Sequence, residues 1–264
     1  LTTPLKPDIL YIDLGGVVNK TINVYWAPVF ETFNTNTDDI NSFYSKPETL
    51  LFEMSKEKNK DMGDNGHFFS CPASSSYLKN TYVFHSSTDI NYEYDFTDEN
   101  NAIIKSMINT QPELQIMRPP TLKDKPMLFL KLGYIFFAEE SLNLTFTPPF
   151  LSKPKYLQNG TIFAGTFDVS QWFRPYTMEM QMWEPKGQLI VQKNEPLFYI
   201  TAETNKQIKL NGFKLNDKLF KYMTECVSAP QWQGKNLPLS KRYEVFKKKK
   251  MNEIILSEIK NNLL

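Results

Sequence analysis

Apolar and polar positions alternate along residues 161–200, and a period of two marks a strand with one buried face. Met178, Met180 and Met182 alternate with Glu179, Gln181 and Trp183. Pro185-Lys186-Gly187 interrupts the pattern, Leu189 and Val191 restart it, and Lys193-Asn194-Glu195-Pro196 interrupts it again before Leu197 to Ile200. The stretch reads as a β-meander. Further strands are predicted at Ile9–Asp13, Ile22–Trp26, Tyr82–His85 and Ile90–Phe96, and within 127–147, where MLFLKLGYIFF is the most hydrophobic run. Tyr92, Tyr94 and Phe96 share one face of their strand. Residues 31–66 are polar and without period, and predict a long excursion with a short helix near Glu48–Lys56.

The period changes after residue 212. Asn216 is a plausible helix N-cap, and Leu219, Phe220, Met223, Cys226 and Val227 follow at amphipathic helical spacing, with Pro230 as the stop. A second helix is predicted from Ser240, carrying Val245, Phe246, Ile254, Ile255 and Ile259, with Lys247 to Lys250 on its wet face. The expected fold is mainly β (a β-rich α+β chain): an antiparallel sandwich or jelly-roll-like core over 1–212, with a helical appendage over 213–264 packed on it.

Composition sharpens this picture only in places. Aromatic residues make up 14% of the 264 residues, which suits pleated, half-buried surfaces. Formal net charge is +1, which argues against a partner bound chiefly by electrostatics, so no strong nucleic-acid signal is read. No apolar run approaches the ~18 residues needed to span a bilayer, and no membrane role is expected. No secretory signal is read at the N-terminus, so synthesis in a cytosol is the expectation. Cys71 and Cys226 are the only cysteines, and two reduced, buried thiols are expected.

Candidate chemistry is sparse. His67, Cys71 and His85 form the one metal-type cluster, with Asp89, Asp95 or Cys226 as the remaining ligand choices. Pro72 works against a helix joining His67 to Cys71, and the expectation is that no metal binds and no cofactor is used. Ser74-Ser75-Ser76 reads as turn chemistry. Gly15-Gly16 lacks the rest of a phosphate-binding motif. The best ligand candidate is Trp172-Phe173-Arg174-Pro175-Tyr176 together with Glu179. An arginine among aromatic rings can hold a carboxylate or phosphate in two parallel hydrogen bonds while stacking on a ring. The competing reading has Trp172 and Phe173 plugging the end of the sandwich and Arg174 paired with Asp168 or Glu179.

Two segments carry a resemblance. FFSCPASSSYLKNTYVFHSSTDINYEYDF (68–96) resembles a segment of uncharacterised proteins of marine tailed phages, and FRPYTMEMQMWEPKGQLIVQKNEPLFYI (173–200) resembles a block of a related bacterial family of unknown function. Ser74 stands where an aromatic residue is usual, and Asn194 where glycine is usual. The resemblance implies a viral origin and one compact β-rich domain, and supplies no activity. The resulting expectation is a phage-encoded, non-catalytic binding or assembly protein with a protein partner or self-association, in the host cytoplasm or the virion. The alternative is an enzyme binding a small molecule or nucleotide on a sandwich or β-clip-like fold, with a small anionic ligand held near Arg174.

Overall fold

A computed structural model describes residues 21–29, 47–58, 71–98, 102–108, 113–117, 126–228 and 238–264. The predicted strand Ile9–Asp13, Gly15-Gly16, Pro230 and His67 lie outside them. Within them the fold is a mainly β core with C-terminal helices, as the pattern predicts.

Three sheets enclose the core. The largest is built on β7 (Met127–Ala138). One edge of β7 pairs with β1 (Ile22–Pro28) through Tyr134–Ala138 and with β6 (Leu114–Met117) through Met127–Leu130. Its other edge pairs with β11 (Pro175–Met182), which is followed by β9 (Gly160–Ile162). β14 (Ile208–Gly212) lies parallel to β1 on the far edge. The second sheet runs β10 (Gly165–Asp168), β8 (Asn143–Thr147), β13 (Pro196–Ala202), β3 (Thr81–His85) and β2 (Glu48–Thr49). The third is β12 (Lys186–Val191), β4 (Ile90–Asp95) and β5 (Ile103–Ser106).

Gly133 allows β7 to serve two neighbours on one edge. Its φ of +65° is open to glycine at little cost, and a Cβ there would sit 2.0 Å from the Val29 carbonyl oxygen. The β7–β11 register shifts at the same place, between Tyr176 and Met178. This is a bulge that bends the strand.

The alternation of 161–200 correctly marks the buried face: Met178, Met180 and Met182 are all fully buried. The meander, however, is not formed. β11 pairs with β7 and β9, β12 with β4, and β13 with β3 and β8, so consecutive strands pass from sheet to sheet. Periodicity reports which face is covered and is silent on which strand lies alongside. The turn at Lys193–Pro196 makes one of these crossings. Asn194 takes φ +66°, the left-handed conformation that glycine or asparagine tolerates best, and its N–H donates to the Ser86 carbonyl at 2.8 Å. The Glu195 carboxylate accepts from the N–H groups of Gln192 and Lys155.

Inward faces of all three sheets share one core, in which Phe84 stacks on Phe198 at 5.0 Å and Tyr176 stacks on Phe146 at 3.8 Å. The opposite face of the largest sheet, carrying Tyr25, Ala27, Ile135 and Phe137, is covered by α3 (Asp217–Ser228), α4 (Leu239–Lys248) and α5 (Met251–Lys260). Asn216 caps α3 as predicted, its Oδ1 accepting from the Leu219 N–H at 2.8 Å. The single helix expected from Ser240 is two helices. α4 is entered from Pro238, with Ser240 inside it, and the chain breaks at Lys250, whose φ is +52°. The lysine run therefore occupies a helical corner. The outer face of the second sheet carries α1 (Leu50–Lys58) and α2 (Pro72–Lys79), which close over Val83 and Tyr199. Ser74 and Ser75 lie in α2 rather than in a turn, because Pro72 occupies the first helical position, where its missing N–H costs nothing.

Candidate functional site

The turn before Arg174 is tied down by Asp168. Its carboxylate accepts from the Ser170 N–H at 2.9 Å, from the hydroxyls of Ser170 and Ser141, and from the Gln171 amide at 2.6 Å. Burial alone would raise the Asp168 pKa, but these hydrogen bonds together hold it below the usual carboxylate range. Asp168 is thus engaged in the turn, and Arg174 leaves it exposed to solvent. Among the described residues Arg174 forms no ion pair. Its charge nevertheless reaches Glu179. Burial raises the Glu179 pKa, and the Arg174 field offsets that rise only in part.

The three aromatic members of the predicted site divide between the two faces of the sheet, Trp172 and Phe173 on one and Tyr176 on the other. Trp172 packs edge-on to Tyr243 at 5.3 Å and tilted to Phe246 at 6.1 Å, both on α4. Phe173, fully buried, meets Phe137 at 5.5 Å and Phe213 at 6.4 Å. Tyr176 points into the inter-sheet core, and burial raises its phenol pKa. Trp172 and Tyr176 are therefore anchors of two cores, and they do not line one pocket with Arg174. The cavity between the sheets, bordered by Val24, Phe84, Phe136 and Ile200, holds about 10 Å³. That is near the lower limit for a single water molecule and far below a metabolite.

The metal-type residues are also placed apart in role. His85 Nε2 lies 3.1 Å from Glu53 Oε1 on α1. Asp89 accepts from the Lys193 N–H at 2.8 Å, and Asp95 pairs with Lys186 at 2.7 Å. Cys226, on α3, is buried between the C-terminal helices and the sheet, and Cys71 is exposed at the start of α2, not buried as expected. No group of three metal-ligating side chains gathers among the described residues.

A surface that the sequence reading missed lies over the second sheet. Tyr77, Phe150 and Leu151 are 41%, 51% and 44% exposed. Phe150 contacts Tyr77 at 6.2 Å and stands edge-on to Tyr199 at 5.1 Å. The Ser152 hydroxyl lies 3.1 Å from the Tyr199 hydroxyl, and Thr201 donates to the Tyr77 hydroxyl at 3.2 Å. Large apolar rings held in fixed positions with hydroxyls at their rim make a surface suited to contact another protein. The available signal was Phe150-Leu151 directly after Pro148-Pro149, apolar residues in a turn where strand alternation cannot bury them. Among the described residues no helix is long and apolar enough to cross a membrane. The chain matches no protein-family model, and no curated protein matches it.

Proposed function

We propose that this chain is a non-catalytic binding or assembly protein of a tailed phage, working by contact with another protein in the host cytoplasm or the virion. The observation that carries the reading is the exposed apolar cluster of Tyr77, Phe150 and Leu151 over the second sheet. Aromatic side chains contribute large contact areas at small entropic cost, which is why they concentrate at protein interfaces. The phage origin is supported by the resemblance of residues 68–96 to proteins of marine tailed phages. Gradient-purified particles provide the test: the chain is expected in them at fixed stoichiometry, and a Phe150→Ser/Leu151→Ser variant is expected to be lost from them while keeping its melting temperature. Absence of the wild-type chain from the particles removes the virion form of the proposal and leaves a contact in the host cytoplasm. Equal incorporation of the variant removes the apolar cluster from the interface. The alternative, an enzyme or binder of small anions at Arg174, is supported by the exposure of that side chain. It predicts thermal stabilisation by nucleotides or small acids that disappears in Arg174→Ala, since a ligand at 100-fold its Kd adds ~2.7 kcal/mol.

A further inference from the structure

Charge is segregated within this nearly neutral chain. The segment 238–264 carries seven basic and three acidic side chains, a net of +4, against +1 for the whole chain. Four of the seven, Lys247 to Lys250, are consecutive and all exposed. They occupy the corner between α4 and α5: Lys247 and Lys248 end α4, Lys249 caps it, and Lys250 leads into α5. The acidic groups nearest in sequence do not neutralise them. Among the described residues Glu253 pairs with Lys250 at 3.8 Å, Glu244 forms no ion pair, and Glu258 is taken by Lys218 at 2.6 Å and Asn216 at 2.8 Å.

A second observation is independent of charge. The residue that turns α4 into α5 is Lys250, at φ +52°. Its N–H donates to the Lys247 carbonyl, and its own carbonyl accepts from the N–H groups of Glu253 and Ile254. Glycine is the residue for which that conformation is free of strain, and lysine holds it at a conformational cost. Strain kept at an exposed position, where nothing in the packing requires a side chain, is a mark of function.

We propose that the α4–α5 corner is a sequence-independent contact for the phosphate backbone of a nucleic acid. Lysine supplies mobile point charges for phosphate, without the planar geometry that reads a base. A membrane surface fits less well. The apolar face of α5, Ile255 and Ile259, is buried against the sheet, Phe246 of α4 is buried with it, and among the described side chains of the two helices the exposed apolar ones are Val245 and Ile254. Two exposed apolar side chains make a small anchor beside the broad apolar face that a lipid boundary takes up.

The test is fluorescence anisotropy of the full chain with labelled single-stranded and duplex DNA, between about 50 and 200 mM salt. Four lysine–phosphate contacts predict binding that weakens with a log–log salt slope of about −3 to −4. Lys247→Gln/Lys248→Gln/Lys249→Gln/Lys250→Gly is expected to bind at least about tenfold more weakly at low salt. Its melting temperature should not fall, because all four side chains are exposed and glycine relieves the turn. Lys250→Gly alone is expected to melt higher than wild type while binding about twofold more weakly, a pairing that general loss of structure cannot produce. Absence of DNA binding at low salt overturns the proposal, as does equal binding by the fourfold variant. Tighter, lysine-dependent binding to phosphatidylserine vesicles than to DNA overturns the choice of partner.

Discussion

The two cysteines show how placement sets chemistry at the level of one residue. The backbone N–H groups of Ser74 and Ala73, with the Ser74 hydroxyl, lower the Cys71 thiol pKa at the start of α2. Burial pushes the Cys226 thiol up to about 11. A thiol reagent at neutral pH is therefore expected to label one cysteine quickly and the other only on unfolding, and Cys71→Ser should remove the fast phase. Labelling at equal rates would contradict this placement. Glu179 illustrates the opposite cost. Its folded pKa is raised, chiefly by burial, so the native state binds more protons than the unfolded chain as pH rises through the ordinary glutamate range. Stability from this site is fully present below the unfolded pKa and declines as pH rises through the folded one. Glu179→Gln is expected to stabilise the protein at neutral pH and to have no such advantage below about pH 4. Urea melts of both proteins at the two pH values decide the matter, and a variant less stable at pH 7 would refute the assignment.

At the scale of the element, β7 and the α4–α5 corner both depend on one residue with positive φ, and only one of them uses glycine. In β7 the Val29 N–H donates to the Gly133 carbonyl, and the bulge lets one strand edge hold β1 and β6 in turn. Gly133→Ala meets both the left-handed backbone penalty, ~1–2 kcal/mol, and a collision with the Val29 backbone. Denaturant unfolding is expected to show a loss of at least about 2 kcal/mol. A loss below half of that would mean that β7 carries no bulge there. The helical corner at Lys250 has no such collision, which is why the same substitution logic runs in the other direction and glycine stabilises.

For the whole molecule, the largest sheet is shared between two cores. Its inner face belongs with the other two sheets, and its outer face with α3, α4 and α5. Removing residues 213–264 would expose Tyr25, Ala27, Ile135, Phe137 and Phe173 together, an apolar patch of the kind that drives association. The truncated chain is expected to aggregate or bind a hydrophobic dye, as seen by size-exclusion chromatography and dye fluorescence. A monodisperse, dye-silent 1–212 fragment would show that the helices are dispensable. Phe173, fully buried between sheet and helices, is the point mutation of choice: Phe173→Ala should destabilise by ~3–5 kcal/mol.

Local rules were enough for some of this. The alternation of Met178, Met180 and Met182, the cap at Asn216 and the spacing of Leu219, Met223 and Cys226 on α3 depend on neighbours within one turn or one pleat, and each was legible in the sequence, whereas Phe220, expected on the same face, is exposed. The same holds for a mainly β fold with C-terminal helices, because period and aromatic content are local properties summed along the chain. Other features depend on residues far apart in sequence. Which strands pair is decided by the faces and edges left open elsewhere, so β12 finds β4 about a hundred residues earlier instead of its neighbour β11. The separation of Trp172 from Tyr176 follows from strand geometry combined with two covering layers, neither of which marks the local sequence. The exposure of Tyr77 beside Phe150 arises only when α2 and the turn after β8 meet over β13. Burial within an element is set by its own pattern, whereas partners and surfaces are set by packing, a property of the chain as a whole.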